Sequence, residues 1–216
     1  MRVLVTGGSG FIGSALIRRL AKNQDFVIGN IDVLTYACRA DSLSEVSPSK
    51  YSFWKVDIND RESLAEIFRV FKPDAVISLA AETHVDRSID NPTPFIRTNV
   101  LGTFQLLETA REYYYKLSSR ASDTFRLLHV STDEIYGDYF GCEHFACEQS
   151  PYRPSSPYAA SKSSADHLVR SWYRTYGLPI IITACTNNYG PYQHYEKLIP
   201  KTITELIHAR KMTLYG

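Results

Sequence analysis

Net charge is the first property that this sequence lacks. Its 216 residues include 24 lysine and arginine residues against 23 aspartate and glutamate residues, which leaves a formal charge of +1. The charged residues are scattered and form no block of one sign. Because proteins that bind nucleic acids through bulk electrostatics carry a basic excess or a basic patch, we expect no nucleic acid partner.

Long hydrophobic runs and paired metal-ligand motifs are also missing. No apolar run is long enough to span a bilayer, and the N-terminus lacks the order of charged, apolar and small residues that marks a signal peptide. The four cysteines form no Cys-x-x-Cys pair, and the six histidines form no His-x-x-x-His pair. We therefore expect no membrane partner, no bound metal, and free thiols in a reducing cytoplasm.

The composition itself is that of a globular protein, 44% hydrophobic and 22% charged, which suits one large domain or one domain and part of another. Apolar segments predict strands at 2–6, 26–31, 51–56, 75–79, 125–131 and 179–185. Helical periodicity predicts helices at 11–23, 61–71, 94–116, 157–176 and 196–209, and polar stretches at 41–49 and 139–156 predict long loops. This alternation predicts an α/β protein with a Rossmann-type, doubly wound parallel sheet and helices on both faces.

A glycine-rich turn lies between the first predicted strand and the first predicted helix. Gly7, Gly10 and Gly13 would let backbone N–H groups approach a pyrophosphate at a helix N-terminus. Asp32 follows the second predicted strand, about 20 residues after the last glycine, where an acid binds the adenosine ribose hydroxyls. The turn and the acid predict an NAD site, because the carboxylate would repel the 2′-phosphate of NADP.

Two groups of candidate catalytic residues follow. Tyr158 and Lys162 are four residues apart on one predicted helix face, and we expect the lysine cation to lower the pKa of the tyrosine. Thr132, Asp133 and Glu134 end the fifth predicted strand, at the edge where open α/β sheets bind ligands. Paired carboxylates there suit general acid and base catalysis. The alternatives are a Tyr–Lys pair on the surface and two acids that begin a solvated loop.

These residues resemble the extended short-chain dehydrogenase/reductases, many of which act on nucleotide sugars. The segments 80–89, 131–137, 187–192 and 196–200 resemble more narrowly the dTDP-glucose 4,6-dehydratase family. The most specific part is the block 132–134, because sugar epimerases of the same superfamily typically lack the Asp-Glu pair. The resemblance runs from residue 1 to the end of the chain and implies a hydro-lyase that uses NAD and a nucleotide-sugar substrate.

The resemblance also implies catalytic roles. Tyr158, as a phenolate, would take the proton of the sugar C4 hydroxyl while a hydride passes from C4 to NAD⁺. Lys162 would bind the nicotinamide ribose, and Thr132 would hydrogen-bond the C4 oxygen. Glu134 would then remove the C5 proton, Asp133 would protonate the departing C6 hydroxyl, and the hydride would return to C6.

Binding residues are implied in the same way. Around NAD⁺, the resemblance places Gly7, Gly10, Phe11, Ile12, Gly13, Asp32, Thr35, Asp57, Ile58, Ala80, Ala81, Thr98, Tyr158, Lys162 and Asn188. Around the nucleotide sugar, it places Thr83, Thr132, Asn187, Lys197 and Leu198. The sequence departs from the family pattern at Cys38, Arg39, His194 and Tyr195, all near the predicted nucleotide sites.

The family continues beyond Gly216 with a segment that completes the sugar pocket. We therefore expect residues 1–216 to form an NAD-binding domain that carries the catalytic residues, with a substrate-binding region that begins at about 187 and is mostly absent. The chain would be either a fragment or a natural truncation.

Two other functions stay open at this point. The chain could be a nucleotide-sugar epimerase or decarboxylase, or a non-catalytic NAD-binding module that dimerises. In relatives, the helices that correspond to 94–116 and 157–176 pair with their mates in a homodimer. Here the apolar residues of those helices are Leu101, Phe104, Leu107, Leu168 and Trp172, and the alternative is that they only pack on the sheet.

Overall fold

The fold is taken from a computed structural model, which describes residues 1–39, 41–138 and 145–211. The sheet consists of β1 (Arg2–Thr6), β2 (Val27–Asp32), β3 (Tyr51–Lys55), β4 (Ala75–Ser78), β5 (Arg126–Thr132) and β6 (Ile180–Cys185). All pairs are parallel, and the order is β3-β2-β1-β4-β5-β6. This is the strand order of a Rossmann fold, so the predicted fold class and the six predicted strands are confirmed, with ends that differ by a residue.

The helices of the described residues lie at α1 (Phe11–Ala21), α2 (Arg61–Phe71), α3 (Val85–Asp90), α4 (Thr93–Phe95), α5 (Thr103–Tyr114), α6 (Ser119–Thr124), α7 (Pro157–Tyr176) and α8 (Leu198–Ile207). A π-helical segment (Ile96–Gly102) joins α4 to α5, and 3-10 turns occupy Pro48–Lys50 and Asp133–Tyr136. Within these residues, the structure has no helix long and apolar enough to cross a membrane.

Side chains of β1 show how the sheet is covered on both faces. Successive residues of a strand point to opposite faces. Leu4 packs in a cluster with Phe68 of α2 and Val169 of α7, whereas Val5 packs in a second cluster with Ile17 of α1. All five side chains are almost completely buried. The central strands are therefore held between two apolar layers, and their carboxyl ends open on one edge.

Local sequence explains where the long helix α7 begins and ends. The Ser156 hydroxyl accepts a hydrogen bond from Ala159 N at 3.0 Å, and Pro157 occupies the first turn, where its missing N–H costs nothing. Gly177 ends the helix with a φ of +69°, a left-handed conformation that glycine adopts without strain. These two signals fix the helix that carries both Tyr158 and Lys162.

Several predicted helices differ from those observed. The predicted helix 94–116 is one run of three segments, α4, the π-helical segment and α5, because the π turn changes its register at 96–102. Helices α3 and α6 have six residues each, too few for a periodic pattern to predict them. The last helix spans 198–207 rather than 196–209. Residues 139–144 of the predicted loop 139–156 lie outside the described residues.

Candidate active site

The turn between β1 and α1 is built for close approach of a ligand to the backbone. Gly7 has a φ of +71°, and a Cβ atom there would lie 2.6 Å from Ala80 N. A Cβ atom on Gly13 would lie 2.2 Å from the carbonyl oxygen of Gly7. The turn therefore fits only glycine at both positions. No side chain caps the N-terminus of the 11-residue helix α1 by a hydrogen bond, so its backbone N–H groups are available to a pyrophosphate.

Asp32 is the last residue of β2 and lies beside this turn. Its Oδ2 accepts a hydrogen bond from Ser9 N at 2.9 Å, and its Oδ1 accepts one from Leu34 N at 2.8 Å. The Cys38 thiol also lies 3.5 Å from Oδ1, and burial together with the Asp32 charge raises the pKa of this thiol to about 11. Backbone donors thus fix the carboxylate where a ribose would meet it.

A first cavity extends from the glycine turn along the carboxyl ends of β1, β2 and β4. The predicted cofactor residues on its wall are Gly7, Gly10, Phe11, Ile12, Gly13, Asp32, Thr35, Asp57, Ile58, Ala80, Ala81 and Thr98. Two predicted substrate residues, Thr83 and Lys197, also lie there. The glycine turn, the fixed carboxylate and the small alanine side chains fit a dinucleotide. Sequence analysis missed Tyr36, Glu82 and Glu196 on this wall.

A second cavity adjoins the first at the ends of β5 and β6. Its predicted residues are Thr83, Thr132, Glu134, Tyr158, Lys162, Asn187, Asn188 and Lys197. Phe11, Ile12, Ala81, Thr83 and Lys197 line both cavities, so the two form one continuous cleft. Two predicted site residues are not on either wall. These are Asp133, next to Glu134, and Leu198, whose side chain is 65% exposed at the start of α8.

Tyr158 and Lys162 are both buried, at 7% and 5% exposure. The Lys162 ammonium donates a hydrogen bond to the carbonyl oxygen of Val130 at 2.8 Å. Burial lowers the pKa of Lys162 to about 8. The expected lowering of the Tyr158 pKa is wrong for the structure as it stands, because burial and the negative charge of Glu134 raise it, although the Thr132 hydroxyl acts in the opposite direction.

The two adjacent carboxylates lie on the 3-10 turn that follows β5. The Thr132 hydroxyl accepts a hydrogen bond from Glu134 N at 3.3 Å and donates one to Asp133 Oδ1 at 3.3 Å. Burial raises the pKa of Glu134, and the neighbouring charge of Asp133 raises it further, while Lys197 lowers it. A carboxylate with a raised pKa is a stronger base, which suits Glu134 for proton removal.

Asn99, in the π-helical segment, is a residue that sequence analysis missed. Its amide donates to the carbonyl oxygen of Glu82 at 3.0 Å and to the Ser161 hydroxyl at 2.8 Å, and its Oδ1 accepts from Glu82 N at 2.9 Å. The Ser161 hydroxyl in turn donates to the carbonyl oxygen of Tyr158 at 2.7 Å. Asn99 therefore joins the loop after β4 to the first turn of α7, which carries Tyr158.

A charged cluster, which we call the Glu196 cluster, consists of Tyr36, His84, Arg87, His194 and Glu196. The Glu196 carboxylate lies 3.1 Å from Arg87, 3.5 Å from His84 Nε2 and 3.4 Å from His194 Nδ1. The Arg87 guanidinium also covers the Tyr36 ring at 3.8 Å. These residues join the loop after β2, the start of α3 and the segment before α8, three regions that no sequence spacing brings together.

Comparison with known protein families agrees with the type of site that the geometry indicates. Residues 4–216 match the family model described as GDP-mannose 4,6 dehydratase. The chain belongs to this family. The resemblance to nucleotide-sugar dehydratases that was drawn from the motifs is thereby confirmed.

This chain matches individual relatives along its whole length. It is 52% identical to a dTDP-glucose 4,6-dehydratase of Neisseria meningitidis serogroup B, over 100% of this chain and 61% of the relative. It is 54% identical to the dTDP-glucose 4,6-dehydratase of Haemophilus influenzae, over 100% of this chain and 64% of the relative. The chain thus spans less than two thirds of the length of these relatives.

Solved structures extend the comparison. A dTDP-glucose 4,6-dehydratase from Streptomyces venezuelae with NAD bound is 43% identical, with a TM-score of 0.87 over 100% of this chain and 65% of that one. A UDP-glucose 4-epimerase from Thermus thermophilus in complex with NAD is 32% identical, with a TM-score of 0.84 over 100% and 66%. The fold is therefore shared by dehydratases and epimerases, and the residues at the site must distinguish them.

Proposed function

We propose that this chain carries the catalytic domain of an NAD-dependent hydro-lyase that converts dTDP-glucose to its 4-keto-6-deoxy sugar. One observation carries the proposal. Four residues share the wall of the cavity that adjoins the predicted dinucleotide site, namely Thr132, Glu134, Tyr158 and Lys162. This set combines the Tyr–Lys pair that an oxidoreductase needs with the carboxylate base that an elimination needs.

Oxidation at C4 is the first task of these side chains. Tyr158 takes the proton of the C4 hydroxyl in its phenolate form, which burial and Glu134 disfavour and the hydrogen bond with the Thr132 hydroxyl favours. Thr132 also holds the C4 oxygen. Lys162 binds the nicotinamide ribose from the floor of the cavity. When bound, NAD⁺ supplies the acceptor for the C4 hydride and, once reduced, the donor that returns this hydride to C6. The named structural relatives with NAD bound support this choice of cofactor.

Elimination of water is the second task. The ketone at C4 acidifies the C5 hydrogen, and Glu134 removes that proton. Asp133 protonates the C6 hydroxyl, so the C6–O bond breaks and one water leaves. A proton then returns to C5 as the hydride returns to C6. Asp133 lies outside both cavity walls and is linked to them by the hydrogen bond that its Oδ1 accepts from the Thr132 hydroxyl at 3.3 Å.

The substrate end of the cleft is formed by Thr83, Asn187 and Lys197, which we propose contact the nucleotide diphosphate sugar. Burial lowers the pKa of Lys197, and Glu196 and Glu134 act against this effect. Lys197 lines both cavities, and we propose that it contacts the diphosphate. Leu198, which is exposed at the start of α8, is proposed to meet the nucleotide from outside the cavities. In domain terms, residues 1–216 form the NAD-binding domain, and substrate binding begins at about 187.

Mass spectrometry of the small molecules tests the proposal. The chain is mixed with NAD⁺ and dTDP-glucose, and we expect a product one water lighter than the substrate, with NAD⁺ unchanged overall. The solved epimerase with the same fold motivates the second candidate, and an epimer would keep the substrate mass. Recovery of unchanged substrate after incubation with saturating NAD⁺ would contradict the proposal for this chain.

A homodimer is also proposed, through the helices at 94–116 and 157–176. Leu101 is 51% exposed and Tyr173 is 56% exposed, so these helices carry apolar surface. Leu107, in contrast, is buried in the core of its own chain, so it cannot contribute to a dimer face. Light scattering that gives the mass of one chain at working concentration would contradict the dimer.

We further propose a cytoplasmic location, which the free thiols of Cys38, Cys147 and Cys185 support.

A further inference from the structure

Helix α7 carries a third ionisable side chain in line with the two catalytic ones. Tyr158, Lys162 and Asp166 are spaced four residues apart, so they follow one face of the helix. The first two line the second cavity, whereas Asp166 is one turn deeper and has 0% exposure. The mechanism described above gives this buried carboxylate no task.

The Asp166 carboxylate is held by hydrogen bonds to its Oδ2, whereas its Oδ1 has no hydrogen-bond partner among the described residues. Its Oδ2 accepts hydrogen bonds from the Ser131 hydroxyl at 2.7 Å and from the Tyr152 hydroxyl at 3.2 Å. Its Oδ1 lies 3.4 Å from His129 Nε2, in a ring that is itself 2% exposed. Arg170 donates to the Tyr152 hydroxyl at 2.9 Å. This arrangement fixes the position of the carboxylate and supplies donors to its ionised form.

Strand β5 brings this carboxylate and the catalytic lysine to adjacent residues. The carbonyl oxygen of Val130 accepts the hydrogen bond of Lys162, and the side chain of the next residue, Ser131, binds Asp166. A buried ammonium held by a neutral carbonyl is disfavoured unless an opposite charge is near. We propose that Asp166 is a positioning residue that keeps the Lys162 ammonium charged and directed at Val130, and thereby sets the pH range in which Lys162 serves Tyr158.

Electrostatics support this geometry. Burial lowers the pKa of Lys162 to about 8, and the Asp166 charge is the first of the effects that act against burial, followed by Cys185. Burial and the Lys162 charge lower the pKa of His129, which therefore stays neutral. The other titratable groups around the pair are Cys185 of β6, Tyr136 and Tyr152 after β5, and Tyr158 and Arg170 of α7. Asp166 is thus the carboxylate that compensates the lysine.

Titration of Lys162 by NMR tests the proposal on the full chain with ¹⁵N-labelled lysine. The Lys162 signal is assigned by its loss in Lys162→Met. In Asp166→Asn, which keeps the size and one acceptor of the side chain, we expect the Lys162 pKa to fall by about one pH unit or more, as for the loss of an adjacent opposite charge. The matched control is Tyr152→Phe, which removes one hydrogen bond to Asp166 but keeps its charge, and we expect little change.

An unchanged Lys162 pKa in folded Asp166→Asn would overturn the proposal, as would an equal fall in Tyr152→Phe. A second variant covers the case in which Asp166→Asn does not fold. Asp166→Ser removes the charge but keeps a hydroxyl beside Ser131, and we expect the same fall of the Lys162 pKa. If the Lys162 pKa stays the same in folded Asp166→Ser, the proposal fails.

The consequence for turnover rests on the proposed function. There we expect Asp166→Asn to change kcat far more than KM and to displace the pH profile of kcat, with Tyr152→Phe leaving that profile in place. The NMR titrations need no turnover, so they decide the role of Asp166 even if the chain does not act on dTDP-glucose. A folded Asp166→Asn that loses activity equally at every pH would show a structural role instead.

Discussion

The two adjoining cavities are built in opposite ways. The first takes its shape from the path of the backbone: a glycine turn, two alanines and a carboxylate that backbone N–H groups hold in place. The second takes its properties from buried ionisable side chains. Burial displaces the pKa values of Glu134, Tyr158, Lys162 and Lys197 from their ordinary ranges. We infer that the first cavity selects its ligand by fit, and we propose that the second serves proton transfer.

This difference predicts which kind of substitution should impair each cavity. Added atoms should damage the first cavity, because its backbone has no room to move, and should affect binding before chemistry. Loss of a charge should damage the second cavity while the dinucleotide still binds. The following substitutions test whether NAD binding and the chemical step can be lost independently of each other.

The largest effect is expected for Glu134→Gln. The amide keeps the size of the side chain but cannot remove the C5 proton, and general bases contribute roughly 10²–10⁴-fold to rate. Water elimination, followed by mass spectrometry, should therefore fall by about that factor, while NAD affinity in calorimetry stays the same. The control is Glu66→Gln, which removes an exposed carboxylate paired with Arg69. Undiminished turnover in Glu134→Gln would exclude it as the base.

Gly13→Ala should produce the next largest effect, on the first cavity. Its Cβ would lie 2.2 Å from Gly7 O and 2.6 Å from Gly8 Cα, both backbone atoms that cannot move aside separately. The turn must open, and we expect NAD affinity to fall by about tenfold or more, equivalent to about 1.4 kcal/mol. The measurement is calorimetric titration with NAD⁺.

The matched control for this change is Gly177→Ala at the end of α7. Its φ is +69°, and a Cβ atom there would have no atom within 4 Å. It should therefore cost about 1–2 kcal/mol of unfolding free energy for the left-handed conformation and leave NAD affinity alone. Equal losses of NAD affinity in the two variants would mean that the turn has no special role.

A smaller effect is expected for Asp32→Asn. Loss of the charge removes the repulsion toward a 2′-phosphate and weakens the hydrogen bonds to the ribose, which are worth about 1.5–3 kcal/mol with a charged partner. The ratio of NADP to NAD dissociation constants should therefore move toward one. Asp41→Asn, an exposed carboxylate paired with Arg39, should leave the ratio unchanged. Tighter NADP than NAD binding by the parent chain would contradict the assignment of Asp32.

The smallest expected effect is a displaced pH profile. The raised pKa of Glu134 means that its ionised, basic form is lost at a higher pH than for an ordinary glutamate, so activity should fall on acidification above pH 4.5. In Asp133→Asn the like charge is gone, so the pKa of the Glu134 carboxyl should fall by a fraction of a pH unit, on the order of 0.5. This pKa is followed by ¹³C NMR rather than by turnover, because Asp133 is itself the proposed acid for the C6 hydroxyl. A Glu134 pKa that rises would reverse the sign of this coupling.

Elements governed by local signals could be predicted from the sequence. The strands alternate with helices in a pattern that only a parallel sheet satisfies, and Gly7, Gly13 and Asp32 occupy positions set by backbone geometry. The Tyr158–Lys162 pair needs only one helix. Each of these depends on residues close in sequence, so periodicity and spacing were enough.

What sequence analysis missed depends on tertiary packing. Asp166 shares the spacing of the Tyr–Lys pair, but only the folded chain shows that Ser131 and His129 surround it. The expected direction of the Tyr158 pKa was wrong because burial and the Glu134 charge raise this pKa, and they outweigh the hydrogen bond with the Thr132 hydroxyl that lowers it. Leu107 was assigned to a possible dimer face, yet α5 turns it into the core. Asn99 acts across two segments that sequence spacing does not connect.

The Glu196 cluster has a consequence for the exchange of whatever fills the first cavity. Its members come from three separate stretches of chain, and Tyr36, His194 and Glu196 all lie on the cavity wall. Because these contacts hold one wall of the cavity together, we expect them to slow the release of a bound dinucleotide.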